Sequence, residues 1–437
     1  MTAPAATASA LRRVIGVFGL AAAIFNITIG AAIFVLPAHM AAALGAAAPL
    51  AYGICVVAMA LIALCMAEAG SRVAQSGGPY AYVQAAFGPF LGYLCGVLLW
   101  LGLTFAMAAV ATVLADALAT LIPALSGTAP RALILGATFT VLAIVNVRGA
   151  AWGSGLSGIS TLAKLLPLVA FVVLGLPHVN AANLTIAALP PVAEIGRAGL
   201  LLMFAFFGME AALQVSGEVI NPSRVVPRAI ALALLGVGFL YVSVQLVAQG
   251  VLGATLAAPE TAKAPLAAAA AQFAGTAGAR LILIGMIVST FGFMTAMMLS
   301  TPRTLFALAS DGYLPRPLAA VHPVHSTPHV AILVQGVIVF LIALTGTYVK
   351  LALMANVVIL LVYLACCLGV WRLRRRNVVA APEAHEATTF RMPGGAVVPW
   401  LAAALIVALL VPATADEWKL TGAVVAIASL GFLRRRR

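Results

Sequence analysis

Asn26-Ile27-Thr28-Ile29-Gly30-Ala31-Ala32-Ile33-Phe34 lies inside an apolar run that extends from Val14 to about Leu44. Glycine and a β-branched polar residue weaken a helix where they stand together. Alone, the segment fits equally well a small-residue face where membrane helices touch. A second interrupted run, Phe204 to Ile230, shifts the balance: it reads FAFFGMEAALQVSGEVINPSRVVPRAI, with Gly208 and Glu210 near its middle. A carboxylate at bilayer depth is costly and marks function by default. The competing reading is a structural hydrogen bond from the acid to a neighbouring helix. Interrupted helices at corresponding places in two halves of a chain point to an inverted repeat with a substrate site between them.

Composition supports a membrane setting. Of 437 residues, 64% are hydrophobic and only 8% are charged, against about 25% charged in soluble globular domains. A chain surrounded by lipid needs no charged coat. The net charge of +13 does not indicate a nucleic-acid partner, because the cations sit in short loops between apolar runs. A spanning helix needs about 20 apolar residues. On that measure spans fall at 14–44, 47–70, 86–119, 131–147, 156–177, 196–220, 227–252, 279–308, 328–345, 349–371, 396–412 and 419–433. The broken runs are then the first and the sixth. With the N-terminus inside, seventeen Lys and Arg fall on the cytoplasmic side and six on the other, Lys164 being within a helix. The positive-inside rule thus sets both termini in the cytoplasm of a multi-pass inner-membrane protein.

The remaining chemistry-bearing residues read as structural. Cys55, Cys65, Cys95, Cys366 and Cys367 all fall in apolar stretches and read as packed thiols. Arg12 and Arg13 precede an apolar run far longer than a signal-peptide core, so the segment reads as a retained first helix. His322, His325 and His329 cluster in a cytoplasmic loop with Pro323 and Pro328, without a carboxylate or thiol partner, which favours a solvated loop over a metal site. No metal and no cofactor is expected. No nucleophile–base pair shares an apparent face, which argues against an enzyme. A channel is the alternative of a different class, but no filter-like carbonyl sequence or acid ring is present.

The physics of a broken helix suits a zwitterion. Unwinding frees N–H groups at the start of one half-helix and C=O groups at the end of the other. The first attract a carboxylate, aided by the positive helix end, and the second an ammonium. An α-amino acid carries both. Non-helical backbone is tolerated at this depth where it lines such a cavity.

At these residues the chain resembles the amino acid–polyamine–organocation superfamily, over nearly its whole length. The first-helix motif is Gly30-Ala31-Ala32-Ile33-Phe34 followed by Pro37. The sixth-helix motif is Phe206, Gly208, Glu210, Glu218-Val219-Ile220-Asn221-Pro222 and Pro227. Arg303, Ala309, Asp311-Gly312 and Pro315 resemble the end of the eighth helix, and Ser76-Gly77-Gly78-Pro79-Tyr80 a re-entrant loop.

The resemblance implies an all-α fold of about twelve transmembrane helices: a LeuT-like five-plus-five inverted repeat with helices 1 and 6 discontinuous, plus two C-terminal helices. The implied division is a cytoplasmic tail 1–13, a first repeat 14–177, a second repeat 196–373, a cytoplasmic loop 374–395, and two last helices with a basic tail, 396–437. It implies a permease, with carboxylate contacts from N–H groups around Ala31 and Ala32. Ammonium contacts would come from carbonyls near Thr28, Phe204 and Phe207, with Ile29, Gly30 and Gly208 completing the unwound segments and Phe204 in the place of an aromatic gate. The motif's third position is usually glycine. Ala32 there is expected to narrow the cavity or restrict backbone torsion, which favours small neutral amino acids.

Lys164, in STLAKLLPLVAF, stands alone among lysines inside an expected membrane helix. It can snorkel to the nearer interface. It can also face the first helix near Ile29 and Gly30, where its ammonium would replace a coupling sodium. Lysine, unlike arginine, changes charge readily when buried. Proton-coupled and sodium-independent members resemble this context, which points to H⁺ as coupling ion. The alternatives are a sodium-independent exchanger and a carrier of another small amine or organocation. The expected partners are the amino acid, H⁺ and membrane lipids. Glu210 is the second candidate coupling residue.

Overall fold

A computed structural model describes residues 15–73, 78–148, 153–208, 219–220, 222–378 and 390–435. Among these the chain is helical, and extended pairing is confined to one bridge between Ile15 and Val219. The helices are α1 (Val17–Thr28), α2 (Ala32–Leu44), α3 (Ala48–Arg72), α4 (Pro79–Phe87), α5 (Pro89–Leu121), α6 (Thr128–Arg148) and α7 (Gly153–Gly175). They continue as α8 (Val192–Leu202), α9 (Pro222–Leu252), α10 (Pro265–Ser310), α11 (His329–Thr345), α12 (Tyr348–Arg375), α13 (Val397–Leu410) and α14 (Ala415–Arg435). In lipid a long apolar segment that does not pair into a closed barrel satisfies its backbone by hydrogen bonds within itself, as a helix.

Six helices among the described residues are long and apolar enough to cross a membrane, with Ala32–Arg72 counted as one. The pair α13 and α14, bent by 118°, makes a further candidate. At 14 residues, α13 is only about 21 Å long, short of a hydrocarbon core of about 30 Å. The stretch expected as a re-entrant loop continues, in its described part, as helix α4, entered through Gly78 at φ +56°. Ser76 and Gly77 lie outside the described residues. The helix expected from residue 279 begins earlier, at Pro265, and carries a non-helical Gly275 (φ 58°, ψ −157°) that separates a short lead-in from the long helix.

Small residues let the helices approach closely, as expected where lipid offers no hydrophobic drive to associate. A Cβ added at Gly102 of α5 would stand 2.4 Å from Ile359 Cγ1 of α12, and one at Gly238 of α9 would stand 2.7 Å from Val56 Cγ2 of α3. Two polar ties hold the ends of helices. Glu68, fully buried on α3, accepts from Arg72 Nε at 3.0 Å, from Arg374 Nε at 2.7 Å and Nη2 at 2.6 Å, and from the backbone N–H of Met392 at 2.9 Å. Arg197, on α8, makes a two-pronged pair with Glu417 of α14 at 2.9 and 2.8 Å.

Candidate substrate site

Two interrupted helices meet in the structure. Helix α1 ends at Thr28, Ile29 is extended (φ −76°, ψ 93°), and α2 starts at Ala32. Helix α8 tightens into a 3₁₀ turn over Met203–Phe206, Phe207 is extended (φ −70°, ψ 155°), and Gly208 has φ +105°. A positive φ at that point favours glycine over any residue with a Cβ. The following residues, Met209 to Glu218, lie outside the described residues, and Glu210 with them. Past that stretch, the N–H of Ile220 donates to the carbonyl of Ile15 just before α1, at 2.9 Å. The entry to α1 is therefore joined to the chain beyond the break that follows α8.

Between the breaks is a cavity lined by Thr28, Gly30, Ala31, Ala32, Phe204 and Phe207, together with Ala106 and Val110 of α5 and Phe293 of α10. Six of the eight residues expected at a substrate site thus line one cavity. Ile29 is fully buried but not in the lining, and Gly208 closes the turn beyond Phe207. Ala31 has ordinary right-handed helical torsions (φ −68°, ψ −25°) and Ala32 opens α2. The methyl of Ala32 therefore imposes no torsional restriction, and its effect is to take up space. The cavity volume is about 20 Å³, room for a water molecule and too small for an amino acid until the walls move.

Aromatic rings pack beside it. Phe204 stands 6.0 Å from Phe207 and meets Tyr348 edge-on at 5.8 Å, and Phe207 meets Tyr363 at 5.8 Å. His39 of α2 stacks on Tyr348 at 6.0 Å. A cavity with room for a water molecule fits a site that takes an amino acid only when helices move.

Helix α9 supplies the tie that the sequence reading missed. The buried Tyr241 hydroxyl lies 3.0 Å from the carbonyl oxygen of Thr28 and 3.0 Å from that of Ala205. A hydroxyl has one proton, so it donates to one of these carbonyls at a time. Both are groups that a helix end leaves without an intrahelical partner. One turn on, Gln245 donates to the carbonyl of Pro37 at 3.4 Å and accepts from Tyr52 at 3.2 Å. A tyrosine and a glutamine four residues apart in an apolar helix were the available signal. Ala106, Val110 and Phe293 gave none, because apolar residues in an apolar helix look alike whether they face lipid, core or cavity.

Lys164 is half-buried on α7, a helix packed mainly against α10, which brings Phe293 to the cavity. His322 accepts at Nδ1 from the N–H groups of Val324 and His325, both at 3.2 Å, and its ring lies 4.7 Å from that of His325. Its lone pair serves to hold the turn.

The model of the amino acid permease family matches residues 15–426. The serine/threonine exchanger SteT of Bacillus subtilis is 30% identical over 324 residues, 72% of each chain. The methylthioribose transporter of Bacillus subtilis is 28% identical over 415 residues, covering 90% of this chain and 87% of the relative. The branched-chain amino acid permease BcaP of the same organism is 27% identical over 408 residues, 90% and 86% of the two chains. These relatives are membrane transporters, not enzymes. A family match that runs through both interrupted helices, on a chain whose apolar helices are built to cross a membrane, shows that this protein belongs to the amino acid permease family.

Proposed function

We propose that this protein is a secondary transporter that carries small neutral amino acids by alternating access, coupled to H⁺ through Lys164. One observation carries the reading: two unwound helix segments face each other across a small, mostly apolar cavity. Free N–H groups at the start of α2 suit a carboxylate, and carbonyls at the ends of α1 and α8 suit an ammonium. The names of the relatives do not choose the substrate, since one carries methylthioribose. The lining supports a small neutral one: Phe204, Phe207 and Phe293 crowd the cavity beside Ala31, Ala32 and Ala106, and among the described lining residues no charged side chain stands ready to pair with a cationic substrate.

In this reading the chain has twelve spans, arranged as two inverted repeats, 14–177 and 196–373, and a last pair beyond them, with both termini cytoplasmic. The matching breaks in α1–α2 and after α8 support the repeat, and the distribution of Lys and Arg supports the orientation. Lys164 binds carbonyls of the α1 break near Ile29 and Gly30 when protonated, and releases them when neutral. An unpaired ammonium at a helix centre costs about 3 kcal/mol or more, so retaining one requires such a contact. Glu210 steadies the unwound part of the sixth span.

The test is uptake into proteoliposomes under an imposed pH gradient without sodium. Wild type should accumulate alanine or serine. Lys164→Ala and Lys164→Arg should both lose accumulation, the second because guanidinium keeps its proton. Uptake that requires sodium and ignores the pH gradient rules the coupling out. The identity with a serine/threonine exchanger favours one second reading, sodium-independent exchange. It predicts uptake that ignores both ions and depends on amino acid inside the vesicle.

A further inference from the structure

We propose that the Thr28 side chain reads a hydroxyl on the substrate, so that the cavity prefers serine over alanine, and threonine over 2-aminobutyrate. This rests on the reading of the site as a pocket for small amino acids and adds the group that chooses among them.

Thr28 is 3% exposed, and its Oγ1 is buried without a hydrogen-bond partner. Several threonines in the described helices are satisfied within their own helix. Thr104, Thr290, Thr295 and Thr421 each donate to the carbonyl four residues earlier, at 2.7, 2.9, 2.9 and 2.8 Å. Such back-bonding is how a membrane helix ordinarily satisfies a threonine. Thr28, the last residue of α1, does not use it. Among the described residues the hydroxyls of Ser289, Thr301 and Tyr348 share the orphaned state, but none of the three lines the cavity.

The cavity gives the hydroxyl its purpose. The other lining residues are Gly30, Ala31, Ala32, Ala106, Val110 and three phenylalanines, so Thr28 contributes the one polar side chain among the lining residues. Its backbone carbonyl already faces the Tyr241 hydroxyl at 3.0 Å, so Oγ1 is not needed to cap the helix end. A hydroxyl both donates and accepts. A substrate hydroxyl therefore satisfies Oγ1 in either direction, while a methyl group in the same place leaves it unpaired. A site that holds a buried polar group for a substrate hydroxyl rejects the analogue that lacks it.

The experiment is competition against labelled serine in proteoliposomes, comparing serine with alanine and threonine with 2-aminobutyrate. Each pair shares a carbon skeleton and differs by one hydroxyl. In wild type the hydroxylated member should compete about tenfold better, the size of one neutral hydrogen bond. Thr28→Val, of the same shape, should bring both ratios to about one. Thr28→Ser should keep them. Ratios that survive in Thr28→Val overturn the proposal. An equal loss for all four amino acids also overturns it, because Oγ1 then serves the shared ammonium. Wild type that favours alanine overturns it without any variant. Wild type in which no amino acid competes sinks the parent reading itself.

Discussion

Replacing Tyr241 with phenylalanine removes one oxygen from the point where the two broken helices meet. The ring stays packed, edge-on to Phe206 at 5.5 Å and to Tyr52 at 6.4 Å. What disappears is the donor that lies 3.0 Å from both the Thr28 and Ala205 carbonyls. Since one proton satisfies one carbonyl at a time, the loss is a single hydrogen bond plus the cost of leaving its buried acceptor unpaired, about 1–3 kcal/mol. If the tie is made only in the closed arrangement, that cost falls on closure, and transport should slow about fivefold to 150-fold. Substrate preference should not change, because Tyr241 is absent from the cavity lining. Initial uptake rates and competition profiles in proteoliposomes measure the two quantities separately, and thermal unfolding in detergent reports any loss of stability. A Tyr241→Phe protein with wild-type rate and stability would refute the reasoning. A changed substrate profile would refute the placement of Tyr241 behind the site.

Three further outcomes follow from the geometry. Glu68→Gln leaves Arg72 and Arg374 facing a neutral amide at a buried site, and should destabilise the protein by about 3–5 kcal/mol; pairing it with Arg374→Gln should recover part of the thermal stability in detergent. Ala32→Gly removes the methyl that takes up cavity space, so competition assays should show larger side chains, such as valine or leucine, gaining on alanine. Burial and the neighbouring His325 and His329 hold His322 below its ordinary value of 6.5. Its folded state therefore favours the neutral ring, and the stability this gives is present above 6.5 and lost as the pH falls. Protonation at Nδ1 would expel the Val324 and His325 N–H donors, so proteolysis or amide exchange in residues 320–328 should rise on acidification and become insensitive to pH in His322→Ala.

The sequence by itself determined the class and the places of the breaks. Composition excluded a soluble fold, because a chain with so few charges cannot dress an aqueous surface. The interruptions at Thr28–Gly30 and at Gly208 were legible because glycine and polar residues inside apolar runs are local signals, and the structure breaks α1–α2 and the end of α8 at those residues. The apolar runs likewise marked where most of the described helices lie, but not α4 or the lead-in of α10 before Gly275. What only the tertiary structure decided is what the breaks face. That Phe293 and Ala106 join Phe204 at one cavity, and that Tyr241 rather than another hydroxyl reaches both freed carbonyls, depends on how α5, α9 and α10 are rotated against the broken pair. In a helix that is apolar on every side, periodicity carries no record of rotation. The record is kept in close packing, such as Gly102 against Ile359 and Gly238 against Val56, which exists only once the helices have met.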